Sequence, residues 1–368
     1  MVEIVSDDSP KTSGIGIYSS NGLIAIRIIY FGENFSLQEV HGMVFTAIKK
    51  RLPLLEYTDS LRWIHGENDG FPGITIDMHG NSLIVMVYSD SLSVYSRYVS
   101  RVLNYYLEKK FSVKAKNILL KIPRRIGKEN LPHSKENLKL LKGTLQNNTL
   151  LHYRNLEYNI NLQSQKGGTY DDLRNLRDFI ITNQKLFQGK KVLNLFSNNG
   201  LTSVVIERTG AKSIYSLEDS ETSIQTHLKN LTDSTRKKHI VKKLDLFKNL
   251  SKYLEELNEF FDVILIDPPS LTSNAKDVTK AKLIYSRFIE DSLPFLSEKG
   301  TLILCSCSNR IHKNEFERIC KDSLSKSKKK YKKPIRLRNE ADHPVLYSFP
   351  EGDYLKVHIY TEVTSILK

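Results

Sequence analysis

The chain has 368 residues, enough for two or three domains, since single cores seldom extend past ~250–300 residues. Its 55 Lys and Arg against 41 Asp and Glu leave a formal charge of +14, which favours a polyanionic partner, most simply nucleic acid; a merely soluble basic protein is the other reading. The three cysteines, Cys305, Cys307 and Cys320, are too few and too clustered for a disulfide framework and no Cys/His set has zinc spacing, so no metal is expected and a reducing cytoplasm fits.

The opening segment MVEIVSDDSPKTSG lacks the basic start and apolar centre of a secretory signal, and no apolar run approaches the ~20 residues that span a bilayer, so a soluble protein without a membrane partner is expected. Residues 14–18 and 23–30 read as strands split by the hairpin signal Asn21-Gly22. A helical pattern over 41–51 leads to strands at 74–78 and 82–88 around the turn His79-Gly80-Asn81. A helix over 91–109 and a strand over 117–122 complete an α+β unit. The polar, basic stretch 123–143 reads as a solvated excursion.

From residue 191 the pattern becomes regular. Strands at 192–196, 213–218, 240–244, 263–267 and 300–305 alternate with helices at 202–209, 221–231, 250–259 and 280–296, which predicts a parallel sheet covered on both faces. The fold class is therefore α/β, with a Rossmann-like domain in the C-terminal half, a central α+β domain and a short N-terminal β module. The turn NLFSNNGL after the first of these strands has a single glycine, Gly200, and no G-x-G-x-x-G, which disfavours a dinucleotide. Glu218 ends the second strand, where an acid can accept ribose hydroxyls, and Asp245 follows the third, within reach of an adenine amino group. A loop, a ribose acid and a base acid without a pyrophosphate cradle suit S-adenosylmethionine.

Two further strand ends carry chemistry. FDVILIDPPS places Asp267 before Pro268-Pro269, and TLILCSCSN places Cys307 at its mouth, so a carboxylate and a thiol share a crevice at the carboxyl ends of parallel strands. Strand alternation puts Cys305 and Cys307 on one side and leaves both open as nucleophile. Cys305 lies inside the apolar run, the usual place of a core cysteine, whereas Cys307 lies beyond it among Ser306, Ser308 and Asn309. Cys320, on a charged helix, reads as structural. Gly66, Gly70, Pro72 and Gly73 read as turn-formers. The run KSKKKYKK, residues 326–333, reads equally as a solvated face or as an RNA phosphate contact.

These segments together resemble the PUA-domain-containing, S-adenosylmethionine-dependent ribosomal RNA methyltransferases of bacteria, whose characterised members form 5-methylcytosine in large-subunit RNA. HGENDGFPGITIDMHGNSLIV is similar to the family's central-domain signature, QKGGTYDDLRNLR to the segment entering the catalytic domain, VLNLFSNNG to the cofactor loop, IDPPS and CSCSN to the catalytic motifs, and DHPVLYSFPEGDYLK to the C-terminal signature. The resemblance covers nearly the whole chain and implies a short PUA-like module over 1–40, a central EEHEAD-like RNA-binding domain over 41–155 and a Rossmann-like methyltransferase domain over 156–368. It implies that Phe196, Ser197 and Gly200 shape the cofactor loop, that Glu218 meets the ribose and Asp245 the adenine, and that Lys166, Asp172 and Arg174 close over the methionine part. Asp267 would line the junction of cofactor and base, Cys307 would be the nucleophile, and Pro268, Pro269, Ser270 and His343 would meet the substrate. Large-subunit ribosomal RNA is the implied partner; a homodimer is compatible with the sequence.

The chain departs from that pattern in several places. The opening segment of a full PUA domain, with its HPWVF-like motif, is missing, which points to a start further upstream or to altered RNA recognition. Asn198-Asn199-Gly200-Leu201 replaces an aromatic-Thr-Gly-Gly loop, Glu218 replaces an Asp, and Gly167 and Thr169 replace a Thr and an aromatic, so weakened cofactor binding is expected. Two other functions compete with cytosine-5 methylation. One is methylation of a base nitrogen, which leaves Cys307 without a role. The other is non-catalytic RNA binding, against which stands the joint presence of Lys166, Asp172, Arg174, Glu218, Asp245, Asp267 and Cys307.

Overall fold

The computed structural model describes residues 1–6, 9–20, 24–122, 137–144, 148–162, 168–272 and 275–366; the predicted hairpin turn Asn21-Gly22, Lys166 and Gly167 lie outside the described residues. The chain divides into two compact units, Met1–Gly167 with Ala341–Gly352, and Gly168–Glu340 with Asp353–Lys368.

The first unit begins with an antiparallel sheet of β1 (Val2–Ser6), β2 (Ser9–Tyr18) and β3 (Ile26–Phe31). Helix α1 (Leu37–Arg51) precedes β4 (Ser60–His65), β5 (Ile74–His79) and β6 (Ser82–Val87); α2 (Ser93–Phe111) then leads to β7 (Asn117–Ile122) and β8 (Asn137–Lys142). These last five strands form one sheet in chain order, with β6 and β7 parallel and the other pairs antiparallel. The predicted solvated excursion is thus corrected over its last part: β8 pairs with β7 as an edge strand, because an edge needs only backbone donors and acceptors and tolerates lysines. A hairpin of β9 (Asn148–Tyr153) and β10 (Leu156–Asn161) follows, with buried and exposed residues alternating along each strand.

The signature HGENDG lies in the connection from β4 to β5, and its polar residues are internal ties. Asp69 accepts from the Arg51 guanidinium at 2.5 Å and from the backbone N–H of His65 at 2.7 Å, while Glu67 accepts the N–H of Gly73 at 3.0 Å. Gly73 has φ +74°, and a Cβ there would lie 2.8 Å from Leu92 Cδ1, so turn and packing both require glycine. Trp63, Phe71 and Leu61 beside it are fully buried, each worth roughly 1.5–3 kcal/mol relative to exposure.

The second unit is built on a parallel sheet. Helix α3 (Arg174–Thr182) enters it, followed by β11 (Lys191–Leu195), α4 (Leu201–Arg208), β12 (Ser213–Glu218), α5 (Glu221–Lys229), α6 (Asp233–Arg236), β13 (His239–Lys243), α7 (Leu246–Leu257) and β14 (Phe261–Ile266). Then come α8 (Val278–Ser292), β15 (Leu296–Ser306), α9 (Lys313–Lys326), the two-residue strands β16 (Lys329–Lys330) and β17 (Ile335–Arg336), and β18 (Lys356–Ser365). The order is β13-β12-β11-β14-β15-β18-β16, with β17 also on β18; β13 to β15 are parallel and β18 runs antiparallel to β15. The buried runs of β11 and β14 fit strands covered by helices on both faces. Strand order reverses between β11 and β14, so a topological switch point opens beyond their carboxyl ends.

Candidate active site

Chain direction at the switch point is set by a loop in unusual backbone conformation. Phe196, Asn198 and Gly200, alternate residues after β11, have φ of +62°, +49° and +78°. Non-glycine residues tolerate such angles only when their surroundings hold them. Phe196 is held by its ring, packed against Phe288 and Phe247 with centroids 5.0 and 5.7 Å away. Asn198 donates to the Tyr170 hydroxyl at 3.0 Å, its Oδ1 accepts the N–H of Asn199 at 2.7 Å, and Asn199 donates to the carbonyl of Gly168. The two asparagines that break the expected loop pattern are therefore its braces. Gly200 is irreplaceable on space as well as angle: a Cβ would fall 2.1 Å from the ring of His227, which is fully buried beneath it.

Glu218 closes the same loop from the end of β12. Its carboxylate accepts the backbone N–H groups of Asn198 at 2.8 Å, Asp219 at 3.0 Å and Ser220 at 2.9 Å. A carboxylate has about four lone-pair sites, so capacity for a hydroxyl donor is left. The hydroxyl of Ser197, buried in the loop, has no hydrogen-bond partner among the described residues. An acid with a spare acceptor and an orphaned hydroxyl fit the ribose of S-adenosylmethionine. Asp245 caps α7 by accepting the N–H of Phe247 at 3.1 Å and pairs with Lys248 at 3.0 Å, which holds its carboxyl below the usual carboxylate range. It is half-buried at the end of the neighbouring strand.

The segment before β11 carries Asp172 and Arg174. Tyr354 donates to Asp172 at 2.7 Å. The Arg174 guanidinium is buried and paired with Glu340 at 3.2 Å and Asp171 at 3.5 Å. It is an internal brace, since two buried acids already take its charge. Arg177, which sequence reading passed over, fixes the segment by donating to the carbonyls of Thr169 at 3.0 Å and Tyr170 at 2.9 Å.

On the other side of the switch point, Ile266 of β14 pairs with Leu304 of β15, so Asp267 and Cys307 leave adjacent parallel strands together. Cys307 is half-buried, and its Sγ lies 3.9 Å from the carbonyl oxygen of Pro268. Cys305 and Cys320 are buried, and burial pushes both thiols up, away from ionisation. The two loops are stitched by Ser308, whose hydroxyl accepts the N–H of Leu271 at 3.0 Å and bonds the Tyr285 hydroxyl at 3.1 Å. Pro268 is buried while Pro269 and Ser270 are exposed, so the tip of the DPPS loop is open to a ligand. His343 falls in the first unit, where its ring is buried, bonded to Asp342 at 2.9 Å and packed on His65. Within the basic run, Lys326, Lys329 and Lys332 pair with Glu290, Glu298 and Glu362, so part of that charge is spent internally.

No protein-family model matches the chain. The chain is 30% identical over 367 residues to a ribosomal RNA large subunit methyltransferase I of Shigella boydii serotype 18, covering 96% of this chain and 88% of that one. It is 26% identical over 365 residues to a protein of the same name from Alteromonas mediterranea, covering 96% and 87%. Among solved structures, SMU.776, described as a methyltransferase complexed with SAH, superposes with a TM-score of 0.78 at 21% identity over 98% of this chain and 90% of that chain, a likeness of fold. Among the described residues, no helix is long and apolar enough to cross a membrane.

Proposed function

Because this chain belongs to the ribosomal RNA large subunit methyltransferase I family, we propose that it methylates carbon 5 of a cytosine in large-subunit ribosomal RNA, with Cys307 as nucleophile. The cofactor is S-adenosylmethionine. The observation that carries the choice of atom is the accessible thiol of Cys307 beside the DPPS loop, where the other two thiols are buried. Methylation of a ring nitrogen leaves such a thiol without work.

When bound, S-adenosylmethionine supplies an electrophilic methyl group. Glu218 would take its ribose hydroxyls and Asp245 its adenine amino group, while Asp172 and Lys166 would meet the methionine part and Arg174 would brace that segment from behind. Carbon 5 of cytosine is a poor nucleophile. Addition of the Cys307 thiolate to carbon 6 converts the ring to an enamine that is reactive at carbon 5, splitting one hard step into two easier ones. Asp267, in its protonated form and donating to N3, would stabilise the negative charge that develops on the ring. Once carbon 5 is methylated, a base takes its remaining proton, the C–H electron pair restores the double bond, and the thiolate leaves carbon 6. Pro269 and Ser270 would line the base.

The test is nucleoside mass spectrometry of ribosomal RNA from cells that carry the gene, lack it, or carry Cys307→Ala. Loss of one 5-methylcytosine in both altered strains is expected. An unchanged 5-methylcytosine level on deletion would overturn the reading, and loss of a different methylated base would transfer the assignment to nitrogen chemistry.

A further inference from the structure

Lys356 opens β18 directly opposite Ser306 in the β15 register. It is only 2% exposed, and its ammonium donates to the carbonyls of Ser308 and Tyr354, each at 2.7 Å. Ser308 is the residue after Cys307. Two neutral carbonyls are the hydrogen-bond partners of this buried cation, and the nearby Asp353 is engaged by Lys313 at 2.6 Å and Asn339 at 2.8 Å. Burying an ammonium without a directly paired carboxylate is costly, and an apolar chain of similar length would cover the same strand end more cheaply. Placement against the nucleophile loop gives the charge a use. Free thiols ionise near 8.5, and a neighbouring cation lowers that value.

Of the described groups that couple within this cluster, Asp267 after β14 is a carboxylate whose charge opposes a thiolate, whereas burial pushes Tyr285 on α8 and Cys305 on β15 up, away from ionisation. We propose that Lys356 is the positioning residue that keeps Cys307 as a thiolate in the free enzyme, its ammonium bound through the Ser308 carbonyl to the loop that carries the sulfur. This rests on Cys307 being the nucleophile. The S–H proton passes to water, the sulfur keeps the electron pair, and the ammonium stays protonated throughout. Burial pulls Lys356 down to about 8, with the charge of Cys307 acting in the opposite direction. The ammonium is therefore still largely charged at neutral pH. Lys313 on α9 and Asp353 before β18 are the other charges that act on it.

The experiment is alkylation of the purified full-length protein by iodoacetamide across pH, without RNA or cofactor. Cys305 and Cys320 are buried, and Cys307→Ala supplies the blank. The wild-type rate should rise with a midpoint about one unit or more below the ordinary ~8.5. Lys356→Gln retains donors for the two carbonyls but removes the charge, and should move the midpoint up by about one unit, slowing alkylation about tenfold near pH 6.5. Lys356→Arg should restore most of the shift. A wild-type midpoint at or above 8.5 overturns the proposal without any variant. So does a folded Lys356→Gln protein with the wild-type midpoint, which would mark the lysine as a mere brace of the loop. Failure of the 5-methylcytosine assay would strike the substrate reading while leaving this titration intact.

Discussion

Glu218 shows how one side chain can build the site in which it is proposed to act. Its carboxylate receives three backbone N–H groups from two loops, so it fixes the entrance before any ligand arrives. Glu218→Gln keeps one acceptor oxygen and turns the other atom into a donor facing backbone N–H groups. Hydrogen bonds to charged groups are worth about 1.5–3 kcal/mol, and this one is partly exposed, so a loss of roughly 1–2 kcal/mol in thermal unfolding is expected. Calorimetry should show S-adenosylmethionine binding weakened about tenfold, equal to ~1.4 kcal/mol; unchanged affinity would remove Glu218 from the cofactor site. The places of Glu218, Asp245, Asp267 and Cys307 at or just past strand ends were legible in the sequence, and strand ends are where ligands sit in such sheets. Lys356, Ser308 and Tyr285 were not. Their meeting depends on β18 folding back against β15 and on α8 packing over the sheet, long-range pairings that no local pattern announces. A lysine opening the apolar strand KVHIY was the available signal, and it reads at first as an ordinary solvated end.

The loop between β11 and α4 is the element on which the proposed cofactor site depends. Its departure from the family pattern predicted weakened binding, yet the asparagines are placed as braces rather than as gaps. Propensity alone did not reveal this, because an Asn in the left-handed region is legible only once its side-chain partners are known. Gly200 is the point of least tolerance. Gly200→Ala adds a methyl 2.1 Å from the His227 ring at φ +78°, so both contact and backbone are strained. We expect a loss of about 3 kcal/mol or more in urea unfolding together with loss of cofactor binding. In the double variant Gly200→Ala with His227→Ala the contact is relieved, and only the backbone strain, about 1 kcal/mol, plus the vacated ring space should remain. The double-mutant cycle separates the two terms, and additive losses would show that the ring and the loop do not meet. At this scale the sequence reading was strong where strand and helix alternate from residue 191. It was weak at β8, β9 and β10, whose short polar-edged strands take their register from neighbours.

Across the whole molecule, the balance of charge points outward and the balance of protonation points inward. The formal charge of +14 suits encounter with RNA, but within the second unit several histidines are held neutral. Burial pulls His227 down to about 3, and His239 and His358 to about 4; for His227 the neighbouring His239 adds to the effect. The unfolded values lie near 6.5. Above that pH neither state binds the proton and stability is complete. As pH falls from 6.5 towards 4, the unfolded chain takes up protons that the folded one refuses, so stability rises with pH across this window and the loss levels off below the folded values. At pH 5 each ring costs roughly 1–2 kcal/mol. His152 acts in the opposite sense, because Asp59 raises it, but it is exposed and its contribution is screened. The consequence reaches the site through His227, which lies under Gly200. Urea midpoints measured at pH 7.5 and pH 5 should therefore differ clearly in the wild type, and less in His227→Leu by about one ring's share. S-adenosylmethionine, by binding the folded loop, should raise the pH 5 midpoint of the wild type with the logarithm of its concentration once that exceeds Kd. If His227→Leu leaves the pH dependence unchanged, the ring is not held neutral by the fold, and acid acts on the cofactor loop by some other route.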